Sequence, residues 1–171
     1  MLRLEFPESL LTGHAEVDRQ HRILFDAADR VLAVREASRD TVIPAIRFLL
    51  SYVHYHFRAE EALMDAIGYD RAEHHRRQHT MLREAVEQVK EAVLAGEDMD
   101  RIAARLHVLF LDGYVFHIRN VDAPLAAAAR AKGKEGEDAL PPSRVLVQAG
   151  WLSSEHEGVD LPRPPDASNK P

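Results

Sequence analysis

Apolar side chains recur every three or four positions through four stretches of this chain, which is the period of a helix with one buried face. The first stripe is His21, Leu24, Phe25, Ala28 and Leu32, in a helix predicted to start with Asp18 as N-cap and to run to about Ala37. The second helix is predicted from near Asp40 or Thr41, with Pro44 in its first turn, where a missing N–H costs little. It turns Ile46, Leu49, Val53, His56, Glu60, Leu63 and Ile67 inward and stops at Gly68. Asp70 and Glu73 have the spacing of a capping box for a third helix, with stripe His75, His79, Leu82, Val86, Val89 and Val93 and a stop at Gly96. A fourth opens near Asp98 or Asp100 and carries Ile102, Leu106, Phe110, Tyr114, His117, Val121 and Leu125. Short links between the four predict an all-α, up-down-up-down four-helix bundle.

Outside this pattern, residues 1–17 mix apolar and turn residues and are expected to form a short N-terminal arm. The composition changes after about Arg130, so the expected division is a bundle over residues 1–130 and a non-bundle C-terminal tail over 131–171. Within the tail, 132–142 read as a linker rich in Gly, Pro and charge. Residues 144–152, which include Trp151, form an apolar segment suited to packing on the bundle, on a partner or on another subunit. The final stretch, with Pro162, Pro164, Pro165 and Pro171, is expected to be flexible.

The stripes contain polar residues where only apolar ones are needed, and composition narrows what these can do. A chain of 171 residues, 46% hydrophobic and 29% charged, suits one domain with a usable core. A net charge of −6 does not point to nucleic acid as a partner. No apolar run is long enough to span a bilayer. The start Met-Leu-Arg-Leu-Glu-Phe-Pro has no basic-then-apolar leader, so the expected location is cytoplasmic. With no cysteine, disulfides, iron–sulfur clusters and thiol nucleophiles are excluded. A metal held by His, Asp and Glu alone is iron, manganese or zinc rather than a soft ion such as Cu(I).

Ten histidines are many for this length, and five of them fall at ligand spacings. His56 and Glu60 are four apart, as are His75 and His79, so each pair projects from one helical face toward one point. A lone pair of this kind is often incidental. Here His21, His56, Glu60, His75, His79, His117 and Asp122 all fall on or beside inward stripes, and every helix contributes at least one. Unpaired ionised groups are costly in such places, and coordination removes that cost. Seven groups exceed the needs of one ion and read as the cage of a two-iron site. His117 and Asp122 are five apart, which in an ideal α-helix turns Asp122 by about 140°. A local distortion, aided by Pro124, is therefore expected to turn it inward. His54, His74, His14 and His156 are read as solvated or hydrogen-bonded, and His107 as a candidate buried polar residue.

Taken together, Asp18-Arg-Gln-His21, His56-Phe-Arg-Ala-Glu60-Glu-Ala-Leu-Met64, Gly68-Tyr69, His75-Arg-Arg-Gln-His79 and His117-Ile-Arg-Asn-Val-Asp122 resemble the bacterial hemerythrins over about residues 14–125. The resemblance implies a non-haem di-iron centre with an oxo or hydroxo bridge. In it His75, His79 and His117 bind one iron, His21 and His56 the other, and Glu60 and Asp122 bridge them. It also implies reversible O2 binding at the iron with two histidines, inside an apolar shell for which Phe25, Leu24, Phe57 and Ile118 are candidates.

The chain departs from that pattern where many relatives have Trp-Leu ahead of the last His-Ile. Here Gly113 and Tyr114 stand in those places. Gly113 is explained by a tunnel, by a close helix approach, or by simple tolerance. Three roles are open for Tyr114: a core hydroxyl bonded to a backbone carbonyl, a hydrogen-bond donor to bound oxygen or peroxide, or a ligand or proton or electron source for ferric iron. Three functions follow in turn: reversible O2 binding for storage, delivery or scavenging; O2 or redox sensing through residues 131–171; and oxidase, peroxidase or nitric-oxide chemistry.

Overall fold

The computed structural model describes residues 4–33 and 39–134. Among them the chain forms four helices and no strand, arranged as an all-α four-helix bundle. They are α1 (Ala15–Ala33), α2 (Arg39–Ile67), α3 (Ala72–Ala95) and α4, which opens as Met99–Val108 and ends as Ala123–Ala131. α2 packs on α1 and α3, and α3 packs on α4. Every inward stripe expected from the sequence is buried. The expected end of α1 near Ala37, the tail with Trp151, and His156 lie outside the described residues.

The expected stops hold. Gly68 adopts φ +58 and Tyr69 N–H closes onto Met64 O at 2.9 Å. Gly96 adopts φ +85, and Glu97 N–H reaches back to Ala92 O at 2.9 Å. Both are left-handed positions that favour glycine. Asp98 caps α4 by accepting from Asp100 N–H and Arg101 N–H.

The starts differ. α1 begins at Ala15, so Asp18 is inside its first turn and is not its N-cap. The Asp18 carboxylate instead turns back to the arm, accepting from Thr12 N–H at 2.7 Å, Thr12 Oγ1–H at 2.8 Å and Gly13 N–H at 3.1 Å. His14 sits just ahead of α1, taking the Val17 N–H on Nδ1 at 3.5 Å while Nε2 donates to Lys134 O at 3.1 Å. The arm is thus fastened to the bundle at both edges, and its Leu4 and Leu10 enter the core. α2 starts at Arg39, which places Pro44 inside the helix, beyond its first turn. The Asp70–Glu73 capping box does not form: Tyr69 O accepts the Ala72 N–H at 3.2 Å, and Glu73 pairs with Arg77 one turn on.

α4 contains the distortion expected near Asp122, and another before it. The helix widens into a π turn at Leu109–Tyr114, returns to α at Val115–His117, and widens again at Ile118–Asp122. There Val115 N–H reaches Phe110 O and Ala123 N–H reaches Ile118 O, five residues back. A turn closed at i+5 lays Asp122 over His117. Pro124 stands two residues after the end of the second widened turn, and Asn120 Nδ2–H donates to Phe116 O at 2.8 Å.

Two apolar clusters fill the interior. The larger runs from Leu4 and Leu10 through Phe25, Phe57 and Phe110. The smaller holds Val17, Leu63, Met64, Ile67 and Leu125. The helices that line both also carry the seven polar side chains.

Candidate metal centre

All seven expected side chains converge. His21, His56, Glu60, His75, His79, His117 and Asp122 are each no more than 1% exposed. Glu60, His75, His79, His117 and Asp122 bring five donor atoms within 4.8 Å of one another, and His21, His56, Glu60 and Asp122 bring four. The two groups share the two carboxylates.

The distances within the cluster carry the chemistry. His117 Nε2 lies 2.9 Å from Asp122 Oδ1, with His75 Nε2 at 3.1 Å from the same oxygen and His21 Nε2 at 3.1 Å from Oδ2. His79 Nε2 lies 3.1 Å and His75 Nε2 3.3 Å from Glu60 Oε2. Yet Nε2 of His21, His56, His75 and His117, Glu60 Oε1 and both Asp122 oxygens make no hydrogen bond among the described residues. These atoms stand side by side without aiming at one another. Donor atoms about 2.1 Å from one ion and at right angles to each other are about 3.0 Å apart. The cluster has that spacing, and neutral imidazole with carboxylate is a donor set for a first-row divalent ion. The residues present therefore fit a metal.

Charge is arranged accordingly. Burial penalises both carboxylates, and Asp122 raises Glu60 further, but the surrounding imidazoles outweigh this and hold Glu60 and Asp122 below the usual carboxylate range. Burial also works against a proton on His75, but Asp122 and Glu60 overcome it and lift its pKa to about 9. His56 is pushed down to about 3 by burial, only partly offset by Glu60.

Two partners that sequence reasoning did not single out set ring orientation. Gln20 Oε1 accepts from His56 Nδ1–H at 3.0 Å, Gln20 Nε2–H donates to Glu16 at 2.7 Å, and Arg19 clamps Glu16. Glu61 Oε1 accepts from His79 Nδ1–H at 2.9 Å and is held by Arg83. Burdened Nδ1 leaves Nε2 as the lone pair facing the cluster. Their signal lay in adjacency: Gln20 precedes one ligand candidate and Glu61 follows another.

The four residues expected to form an apolar shell lie in the core. Leu24, Phe25, Phe57 and Ile118 are buried, and Phe57 stacks on His79 at 3.9 Å with planes 12° apart. Tyr114 is fully buried, and its hydroxyl bonds no backbone carbonyl among the described residues. Gly113 lines a groove between α3 and α4, where an added Cβ would meet Leu82 at 3.4 Å, an ordinary contact, so no close approach demands glycine. His54 and His74 are exposed. His107 is half-buried, with Nδ1–H on Ala103 O at 2.9 Å. No helix among the described residues is long and apolar enough to cross a membrane.

Residues 12–129 match the family model described as the hemerythrin HHE cation binding domain. Curated relatives include the bacteriohemerythrins of Pseudomonas aeruginosa strains LESB58 and UCBPP-PA14. Each is 28% identical over 158 residues, covering 90% of this chain and 95% of the relative. That of Stenotrophomonas maltophilia strain R551-3 is 28% identical over 153 residues, covering 89% and 94%.

Proposed function

Because this chain belongs to the hemerythrin HHE cation-binding family, we propose that its seven-residue cage holds two iron ions and that the protein binds O2 reversibly. The observation that carries this reading is the split of the cluster into a five-donor and a four-donor group sharing Glu60 and Asp122. His75, His79 and His117 would serve one ion, His21 and His56 the other, and the shared carboxylates both. A ferrous pair supplies the two electrons that O2 binding draws on. The four-donor side has one protein ligand fewer, which makes it the side for an exogenous ligand. Leu24, Phe25, Phe57 and Ile118 exclude water from the cage, and the Gln20 and Glu61 bonds hold His56 and His79 with Nε2 inward.

The test is an anaerobic iron count with visible spectra before and after O2. Two irons per chain and a band that appears with O2 and fades on deoxygenation are expected. One ion per chain, or a band that never reverses, overturns the reading. Turnover of peroxide or nitric oxide is the second reading, favoured by the buried, unpartnered Tyr114 hydroxyl, whose ring lies parallel to Phe57, itself stacked on His79. Rapid multiple turnovers would establish it, and slow stoichiometric oxidation would sink it.

Gln20→Leu is expected to weaken the ion on the His56 side by about ten- to a hundredfold, the usual cost of losing an orienting partner. Competition with a chelator, followed by iron counting, should show one ion leaving well before the other. Loss of both in step would contradict the assignment.

A further inference from the structure

Among the described residues two phenol oxygens, those of Tyr52 and Tyr114, are buried without a hydrogen-bond partner. A buried donor with no acceptor is costly and calls for a reason. The charged and phenolic groups that act on Tyr52 are Arg19, Tyr55 and Glu16, none of them a member of the cage. The charges that act on Tyr114 are Asp122 and Glu60, the two carboxylates shared by the cage, together with Arg83.

The placement of Tyr114 is held from two sides. Its ring stacks on Phe110 at 4.8 Å with planes 10° apart, and lies nearly parallel to Phe57 at 6.1 Å and 11°. Phe57 in turn lies flat on His79. Tyr114 closes the first widened turn of α4, three residues ahead of His117. Burial, with Asp122 and Glu60 adding to it, keeps the phenol protonated and hence a donor. The carboxylates near it face imidazoles: Asp122 faces His21, His75 and His117, and Glu60 faces His75 and His79. Among the described residues no cage atom accepts from the phenol.

We propose that the Tyr114 hydroxyl donates a hydrogen bond to a small anionic ligand taken up at the cage, making this site selective for ligands that carry negative charge on the atom facing α4. The inference rests on the iron-loaded reading above. No covalent or redox step is involved; the tyrosine keeps its proton.

The experiment uses azide as the probe on full-length ferric protein, comparing wild type with Tyr114→Phe, which keeps the ring and its stacking. Both proteins should carry two irons, and azide affinity should fall roughly ten- to a hundredfold in the variant, the size of a hydrogen bond to a charged group. The Tm of the metal-free variant should stay level or rise, because the lost hydroxyl had no partner there. A fall in that Tm would reveal a structural bond and overturn the proposal. Equal azide affinity in two fully loaded proteins would overturn the role of Tyr114 alone. A phenolate-to-iron band present in wild type and lost in the variant would replace donation by ligation. A wild type that takes up no iron would instead overturn the centre itself, and the proposal with it.

Discussion

Glu60→Ala is expected to strip both halves of the cage, leaving well under one metal ion per chain after dialysis where the native protein is proposed to hold two. Glu60 contributes a donor atom to the five-donor and to the four-donor group, so a single substitution removes a ligand from each. Four-ligand sites gather about 10–16 kcal/mol on binding, roughly 3 to 4 per ligand, so each ion should be weakened by about two to three orders of magnitude. The loss reaches further, because Glu60 is among the groups that hold the proton on His75. His79→Ala is the matched control: it touches only the five-donor group and should spare the other ion. Metal analysis of the two variants side by side decides this. Retention of one tight ion in Glu60→Ala would show that the carboxylate is not shared.

Removing the metal is the second large effect. Seven polar groups, no more than 1% exposed, remain in the core when the ions leave. A ligand held at about a thousand times its Kd stabilises by about 4 kcal/mol, which for a bundle of this size is a Tm difference of roughly 10–20 °C. The gap should depend on pH. In the metal-free fold His75 has its pKa raised to about 9 from an ordinary 6.5, so its stabilising proton is fully present below 6.5 and is lost as pH rises through 9. His56 acts in the opposite sense. Held at about 3, it stays neutral while the unfolded chain takes up a proton below 6.5, so stability falls as the medium is acidified. Glu60 and Asp122, both depressed, stabilise above the ordinary carboxylate range and are lost only in stronger acid. The metal-free protein should therefore be most stable near pH 6.5. The loaded protein needs a neutral His75, so the Tm gap should widen from there toward pH 9. Thermal scans across that range check it, and a gap that narrows with rising pH would contradict the assignment of His75.

The α4 stripe shows how a fold feature can be written in sequence and still be misread. Its apolar positions step by four, four, four, three, four and four from Ile102 to Leu125. That averages about 3.8 residues per turn against the ideal 3.6. The surplus is what two widened turns absorb, at Leu109–Tyr114 and Ile118–Asp122. The distortion at Asp122 was legible because a ligand candidate stood out of phase. The one ending at Tyr114 was not, since apolar side chains tolerate a small drift without announcing it.

Helix starts were less legible than stops. A glycine with positive φ is a local requirement, so Gly68 and Gly96 could be read directly. Asp18 and Asp70 have the chemistry of caps, but side-chain oxygens take whichever donors the tertiary structure offers. For Asp18 those were Thr12 and Gly13 of the arm, and at Asp70 the carbonyl of Tyr69 did the capping instead. Gln20 and Glu61 followed the same logic, because their partners His56 and His79 stand on other helices.

By itself, then, the sequence determined the four helices, their buried faces and the seven side chains of the cage, because helical period and the cost of burying charge are both local properties of the chain. The resemblance carried by the motifs also implied that Glu60 and Asp122 are shared, and the two donor groups agree with it. Only the tertiary structure decided which nitrogen of His56 and His79 faces inward, and that the Tyr114 hydroxyl is buried without a partner. Each depends on angstrom-scale meetings between helices, which no spacing along one helix encodes.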